Sequence, residues 1–411
     1  MKTSLYLSLL ILFGPAWAQG STPDNAATLP PDLPGMVVYA LNHHPALQAA
    51  RYRQDASRER IEASGWLPDP MVVYGYYAQA TDKRQSVEVA QSIPWPGRLS
   101  RETAVAREAA QASDYMTWVA TDEVVLAVRR DYAELVYVRR AEAIYQENIA
   151  LLEQLESIIE QRVASNLANQ ADLLRVEIEK ARLEEDWFSL HSLNKPAMAR
   201  LNASLGREQS APVPEAIALP ETPLLPDDML PELEARMRAE NPQLLNLRAV
   251  TRVQQARTRL AETEALPDFM VGAEWMDGIG MRDEVKVMVG MSIPLWQSRS
   301  RALVNEARAE RRAAEAEYRY RHQNLDTSWR MAVYAWRDAR RKVDLYRDRL
   351  IPRATQTLEV ETRAYQSGET DFINLIDAQR TYLDFVLLLA RSESDLLQAE
   401  ATLLNLAGQR P

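Results

Sequence analysis

The spacing of hydrophobic residues changes along the chain, and each spacing predicts a type of element. In four short segments apolar and polar side chains alternate with period two, as Val87 and Val89 alternate with Ser86 and Glu88. This period predicts β-strands, because successive side chains of a strand point to opposite faces. The four predicted strands cover residues 71–79, 86–93, 269–276 and 285–293. Each half of the chain therefore contributes one hairpin.

Long segments with a heptad period follow each pair of strands. In the last of them, apolar residues recur every seven positions at Leu375, Tyr382, Leu389, Leu396 and Leu403. Such a period predicts helices that pack in coiled coils. The four predicted long helices cover residues 99–163, 167–205, 299–366 and 370–407.

Prolines delimit or interrupt the other predicted helices. A shorter helix is predicted before each pair of strands, over residues 34–66 and 228–265, and each ends at Leu-Pro-Asp because proline disfavours a helical residue before it. Pro196 and Pro352 lie inside heptad patterns that resume after them. We expect each to bend its helix and not to end it.

The chain repeats itself at an offset of about 200 residues. The Leu-Pro-Asp of residues 67–69 recurs at 266–268, and the Ser-Ile-Pro of 92–94 recurs at 292–294. The order of elements in each half is helix, strand, strand, long helix, long helix. The predicted divisions are a first repeat over residues 19–206, a proline-rich connector over 207–231 and a second repeat over 232–408.

The beginning of the chain predicts a secretory signal peptide over residues 1–18. Lys2 precedes an apolar run over 5–13, and Ala16-Trp17-Ala18 has the small-x-small pattern of a cleavage site. No later segment holds 18 uninterrupted apolar residues, so the pattern predicts no transmembrane helix. We expect an exported protein without a helical anchor.

Composition excludes several functions. The chain has no Cys, which excludes disulfides, thiolate metal sites and cysteine nucleophiles. The net charge of −10 disfavours a nucleic-acid partner. No metalloprotease, nucleophile-elbow, P-loop or dinucleotide motif occurs, so we predict no enzyme, no cofactor and no metal site. The methionines of the second hairpin and the pair His43-His44 are interpreted as packing and helix-start residues.

The strands themselves predict a membrane location. About nine residues suffice to cross a bilayer at a tilt. The polar faces carry Glu88, Glu274 and Lys286, as a water-filled lumen requires. Four strands cannot close a barrel, and unpaired edges are not viable in lipid, so copies must pool their strands. Three copies give 3 × 4 = 12 strands, and the sequence alone leaves other multiples open. Two ordinary hairpins on a soluble core are the alternative.

Residues 350–383, LIPRATQTLEVETRAYQSGETDFINLIDAQRTYL, resemble the most recognisable segment of TolC-like outer-membrane efflux proteins. The resemblance implies a mainly α fold with a small β part, a homotrimer whose helices form an α-barrel tunnel, and a 12-stranded β-barrel in outer-membrane lipid. It implies a passive exit duct with a large periplasmic part. Its partners would be a periplasmic adaptor and a proton-driven inner-membrane pump.

The resemblance also locates a gate at the periplasmic entrance. The acidic positions of the family fall at Asn374 and Asp377, which are three residues apart and so share one helix face. Because the first is Asn, a single ring of Asp377 is implied. The equivalent positions of the first repeat are Asp172 and Arg175. Arg175 and Asp377 are expected to hold the closed state by charge pairing; the alternative is that Asp377 merely pairs with Arg380.

Residues 91–102, QSIPWPGRLSRE, resemble a stretch common in the heavy-metal branch of the family, which is paired with cobalt-zinc-cadmium or copper pumps. The resemblance implies that heavy-metal cations are exported. Two alternatives stay open: a duct of the same fold for drugs or other organic compounds, and a periplasmic coiled-coil adaptor or scaffold.

Overall fold

The computed structural model describes residues 29–78, 83–165, 168–215, 217–218, 225–264, 266–278 and 282–408. The predicted signal peptide lies outside these ranges. Within them, no helix combines the length and the apolar character that a membrane span requires.

The chain is mainly helical, with two pairs of long helices and one small sheet. The elements of the first half are α1 (Leu33–His43), α2 (Pro45–Ala63), β1 (Met71–Tyr76), β2 (Lys83–Ile93), α3 (Arg98–Ala164) and α4 (Gln170–Ser204). Those of the second half are a 3-10 turn (Asp227–Met229), α5 (Leu230–Glu240), α6 (Pro242–Glu264), β3 (Phe269–Gly278), β4 (Glu284–Met291), α7 (Gln297–Leu345), a π-helical turn (Tyr346–Leu350), α8 (Ile351–Ser367) and α9 (Phe372–Leu406). The two halves repeat the same order.

The first predicted helix of each half is in fact two helices. The prediction of one continuous helix over 34–66 and over 228–265 was wrong, because both segments break before a proline. His44 and Asn241 have extended or near-extended backbone, with ψ of 123° and 120°, and Pro45 and Pro242 begin the next helix. Proline disfavours the helical conformation of the residue before it but fits the first position of a helix. α5 also begins inside the predicted connector, at Leu230.

The prolines inside the long helices do not end them. α4 continues through Pro196 to Ser204. Before Pro352 the helix widens into the π-helical turn, where the Ile351 N–H donates to the Tyr346 carbonyl. A proline cannot donate the hydrogen bond that its position requires, and a wide turn is one way for a helix to absorb the loss.

The four strands form one antiparallel sheet in the order β1-β2-β3-β4. The hairpins β1-β2 and β3-β4 meet through the pair β2-β3, in which Val89 lies opposite Ala273. β1 and β4 are therefore the two edges of the sheet.

Three clusters of buried residues hold the helices together. The first includes Tyr132 and Leu135 of α3 and packs α1 and α4 on that helix, and the second surrounds Trp336 of α7. The third joins the two halves: it contains Ile159 of α3 and Phe372 of α9, close to the turns that connect the long helices.

Candidate channel lumen and gate

The sheet has one apolar face, and nothing in the described chain covers it. A row of apolar side chains crosses all four strands at Val72, Val89, Ala273 and Val287. Val287 is 72% exposed. An exposed apolar face of this kind marks a surface that contacts lipid or a partner.

The opposite face carries a charged row at one level. Glu88 lies opposite Val73 on one side and opposite Glu274 on the other, and Glu274 lies opposite Lys286. The Lys286 Nζ is 3.5 Å from the Glu274 Oε2. Two carboxylates and one ammonium give this row a net charge of −2 + 1 = −1 in each chain. These are the three residues that the sequence assigns to a water-filled lumen.

An ion pair joins the start of β3 to the start of α3. The Arg98 Nη1 donates to both carboxylate oxygens of Asp268, at 2.9 and 2.8 Å. The Trp95 N–H donates to the same carboxylate, and the Trp95 ring stacks on Phe269 with 5.7 Å between centroids. From the sequence, Asp268 was predicted only to mark the end of a helix. The signal that was missed is an aspartate at the same place in both repeats.

The two turns that connect the long helices lie side by side. Arg162, at the end of α3, donates to the Gln366 carbonyl at the end of α8 at 2.6 Å. Its guanidinium also lies over the Tyr365 ring, 5.1 Å from the centroid. Tyr365 in turn packs edge-on against Phe372 at the start of α9. The predicted gate residues are located just beyond these turns.

The structure places the predicted gate residues in local pairs. Arg175 Nη1 lies 3.4 Å from Asp172 Oδ1 on α4, and Arg380 Nη1 lies 3.8 Å from Asp377 Oδ1 on α9. Asn374 donates to the Thr370 hydroxyl at 3.0 Å. Within the described chain each charged gate residue thus contacts a neighbour on its own helix, and Arg175 and Asp377 are not brought together. The Asp377–Arg380 contact is the one that the alternative interpretation expected.

A buried ion pair beside the gate was missed. Glu179 of α4 is only 3% exposed, and Arg380 of α9 donates to both of its carboxylate oxygens, with 2.9 Å from Nε to Oε1. The hydrogen bond to Glu179 is the main cause that raises the pKa of Arg380. The sequence held a signal for this pair, because Glu179 lies between the apolar seam positions Val176 and Leu183.

Comparison with known proteins gives a match to one family. Residues 234–409 match the family model described as Outer membrane efflux protein. This match covers most of the second half of the chain, and the matched segment is called the efflux protein domain after it. No curated protein sequence matches the chain.

Solved structures extend the similarity of the efflux protein domain to the whole fold. VceC, an outer membrane protein of Vibrio cholerae, is 14% identical over 92% of this chain and 96% of its own, with a TM-score of 0.76. The CmeC outer membrane channel of Campylobacter jejuni is 14% identical over 92% and 85%, with a TM-score of 0.75. The open state of the MtrE outer membrane channel of Neisseria gonorrhoeae is 15% identical over 92% and 89%, with a TM-score of 0.75. At these identities the likeness establishes the fold.

The matches confirm three predictions. The mainly α fold with a small antiparallel sheet is that of TolC-like channels. The family that residues 234–409 match is one of outer-membrane proteins, which agrees with the location predicted for the chain. The family and its structural neighbours are efflux proteins and channels, which agrees with the prediction that the protein is not an enzyme.

Proposed function

We propose that this protein is the outer-membrane exit duct of a tripartite efflux system and conducts its substrate passively. Three copies pool their sheets into a 12-stranded barrel, and their long helices form a periplasmic tunnel. One observation carries the proposal: a sheet with an uncovered apolar face, a charged opposite face and two edges is joined to long helical pairs. A single sheet of this kind is not viable in lipid, whereas a closed ring of sheets is.

The first test is conductance in planar bilayers, combined with the mass of the purified oligomer in detergent. Trimers with small, cation-selective currents that divalent cations reduce support a gated duct. A species that stays soluble without detergent and gives no current contradicts it and favours the adaptor or scaffold. The efflux protein domain and the similarity to outer membrane channels support the duct.

The partners follow from the same proposal. An exit duct has no energy source of its own, so an inner-membrane pump, driven by protons, supplies it and a periplasmic adaptor bridges the two. Co-purification after crosslinking in the native host tests this assembly. Recovery of the duct without an adaptor and a pump contradicts it.

The gate proposal assigns the periplasmic constriction to Asp377, with Asn374 adding an uncharged ring beside it. The Asp377 side chain is 66% exposed at the start of α9, so a copy of it from each chain is available to the channel entrance. Asp172 and Arg175 form the neighbouring pair on α4. Any Arg175–Asp377 pairing in the closed state is then a contact between copies.

Replacing Asp377 with Ala tests the gate. We expect larger single-channel conductance and a weaker block by divalent cations, since the carboxylate ring is removed. Asp384→Ala, two turns further along α9 on an exposed position, is the matched control and leaves both unchanged. Equal behaviour of the two variants contradicts a gate at Asp377.

The proposed substrates are heavy-metal cations. The resemblance of residues 91–102 to the heavy-metal branch supports this choice, and the net negative row on the lumen face suits a cation more than an anion. In the structure residues 91–102 form the turn from β2 to α3, where Gly97 has a φ of 89°. Their support for this substrate class is therefore indirect, through the branch that they resemble.

Deletion of the gene in its native host tests the substrate class. We expect greater sensitivity to cobalt, zinc, cadmium or copper salts with unchanged sensitivity to organic dyes and detergents, and rescue by the intact gene. Sensitivity to the organic compounds alone overturns the metal assignment and establishes the organic-compound duct.

A further inference from the structure

The internal repeat sets the same register in both hairpins. Val72 lies opposite Val89 in the first hairpin, and Val271 lies opposite Val289 in the second. The offset is 271 − 72 = 199 between β1 and β3, and 289 − 89 = 200 between β2 and β4. These are the offsets at which the Leu-Pro-Asp and Ser-Ile-Pro segments repeat. The repeat therefore holds for strand pairing and not only for sequence.

The pair β2-β3 in the middle of the sheet has a counterpart that one chain cannot form. β2 is equivalent to β4, and β3 is equivalent to β1, but β4 and β1 are the opposite edges of the sheet. Among the described residues the outer sides of both edges have no strand partner. An edge strand offers its free N–H and C=O groups to another chain. A second copy of this chain can supply each edge with its equivalent partner.

The junction between the sheet and the long helices differs between the two halves in the same way: one half has its ion pair within the chain, and the other does not. Inside the chain, Asp268 accepts from Arg98, and the Arg98 N–H donates to the Trp95 carbonyl at 2.9 Å. The same turn recurs in the second half, where the Arg299 N–H donates to the Trp296 carbonyl at 3.0 Å.

In the second half, however, no carboxylate equivalent to Asp268 pairs with this turn within the described chain. Its acidic counterpart is Asp69, which lies at the start of β1, on the other edge of the sheet. The side chains of Asp69 and Arg299 are both exposed and make no ion pair within the described chain, and Trp296 is 76% exposed. Trp95, its counterpart, is half-buried on Phe269.

We propose that β4 of one chain pairs with β1 of the next so that Val289 lies opposite Tyr74 of the partner subunit. The register follows from the central pair, since 89 + 200 = 289 and 273 − 199 = 74. In the same contact Arg299 pairs with Asp69 of the partner subunit, and the Trp296 ring covers Pro70 of the partner subunit. The inference rests on the proposed pooled barrel and adds to it the register and the clamp that close it.

Engineered disulfides test the register directly, because the chain contains no cysteine of its own. Residues directly opposite across two antiparallel strands have Cα atoms about 4.5–5.5 Å apart, which lies within the range of about 4.4–6.8 Å that a disulfide spans. The double variant Val289→Cys/Tyr74→Cys is expected to form reducible covalent trimers on oxidation in detergent. Its matched control, Val289→Cys/Val72→Cys, places the thiols on the same face but one pair out of register. Crosslinking of the control in place of the test pair overturns the register.

Charge exchange tests the clamp independently. Asp69→Arg and Arg299→Asp are each expected to lower the temperature at which the trimer dissociates in detergent, and the double exchange is expected to restore it. Arg301→Asp, two residues further along α7 and bonded to Gln297 of its own helix, is the control and leaves the temperature unchanged. Independent effects of the two single variants, without restoration, contradict the clamp.

Conductance of the crosslinked protein separates this inference from the proposed function. Covalent trimers of the test pair that conduct support both. Covalent trimers that do not conduct support the register and contradict the duct. Conducting trimers that crosslink only through the control pair leave the duct in place and overturn the register.

Discussion

Single side chains at the ends of the long helices carry contacts that local sequence does not show. Glu179 lies in an apolar seam, and Arg380 of another helix donates hydrogen bonds to it. His44 accepts from the Ala46 N–H at 3.1 Å and starts α2, and Asn241 accepts from the Leu244 N–H at 3.2 Å at the equivalent break. These residues have specific tasks that a substitution can test.

Arg380→Ala is expected to destabilise the protein more than a surface ion-pair variant does. The substitution leaves the buried Glu179 carboxylate without its donor, at a cost of about 1–3 kcal/mol. Arg363→Ala is the control, because Arg363 and its partner Glu359 are both exposed, and such pairs contribute about 1 kcal/mol or less. Denaturant unfolding of the two variants measures the difference. Equal losses would show that the Glu179–Arg380 pair does not stabilise the packing of α4 against α9.

His44 is expected to make stability fall in mild acid. Burial lowers the pKa of His44 below its ordinary value, against a smaller opposing effect of a hydrogen bond to the Ala203 backbone. As pH falls from about 6.5 towards the lowered pKa, the unfolded state binds more protons than the folded state, so stability decreases. A protonated ring also cannot accept from the Ala46 N–H.

The repeat supplies the variant that tests this. His44→Asn introduces the residue that caps the equivalent helix at Asn241, and it does not titrate. Thermal unfolding at pH 7.5 and 5.5 should show a smaller loss for His44→Asn than for the unmodified chain. His43→Asn, on an exposed position, keeps the loss of the unmodified chain. If the His44 variant loses as much stability as the unmodified chain, the assignment is incorrect.

At the scale of elements, a glycine follows the last long helix of each half. It lies against the break between the two short helices at the start of that half. Gly206 follows α4 with a φ of 74° and lies against His44 and Pro45, and Gly408 follows α9 with a φ of 66° and lies against Glu240 and Pro242. Gly206 and Gly408 are 202 residues apart, and Pro45 and Pro242 are 197 residues apart, so both pairs lie close to the repeat offset of about 200. The structure shows that each glycine touches the proline break of its own half.

Gly206→Ala is expected to be more destabilising than Gly97→Ala. Both glycines have positive φ, where a Cβ costs about 1–2 kcal/mol. At Gly97 a Cβ meets nothing within 4 Å, whereas at Gly206 it lies 2.7 Å from Pro45 Cδ and 2.8 Å from His44 Cα. Only Gly206→Ala therefore adds a clash with backbone. Comparison of the two unfolding midpoints checks this. Equal midpoints would mean that His44 and Pro45 shift to accommodate the added Cβ without a loss of stability.

At the scale of the whole molecule, the sheet of a single chain leaves several of its described groups without a partner. Its apolar face, its two edges and its unpaired junction residues have no covering or pairing partner among the described residues. In the proposed trimer, the charged row on the polar face of the sheet becomes a ring. The ring then carries 3 × (−1) = −3, from six carboxylates and three ammonium groups.

Ion selectivity is expected to follow the charge of this ring. Glu88→Gln/Glu274→Gln changes the ring from −3 to 3 × (+1) = +3 and should reduce or invert cation selectivity, while Lys286→Gln changes it to 3 × (−2) = −6 and should increase it. Reversal potentials under a salt gradient measure both. Glu59→Gln, on an exposed position of α2, is the control. Unchanged reversal potentials in both ring variants would place the row outside the conducting path.

The sequence by itself determined the two repeats, the strands with their two faces, the long helices and the turns, because these depend on residues that are close along the chain. It also located Asp172, Arg175, Asn374 and Asp377 beside the helical turns. Only the tertiary structure decided that the first helix of each half divides at a proline and that Asp377 contacts Arg380. It alone showed the pairs Glu179–Arg380 and Asp268–Arg98, whose members are 201 and 170 residues apart. Pairing at such separations depends on how distant helices and strands pack, and no local period records it.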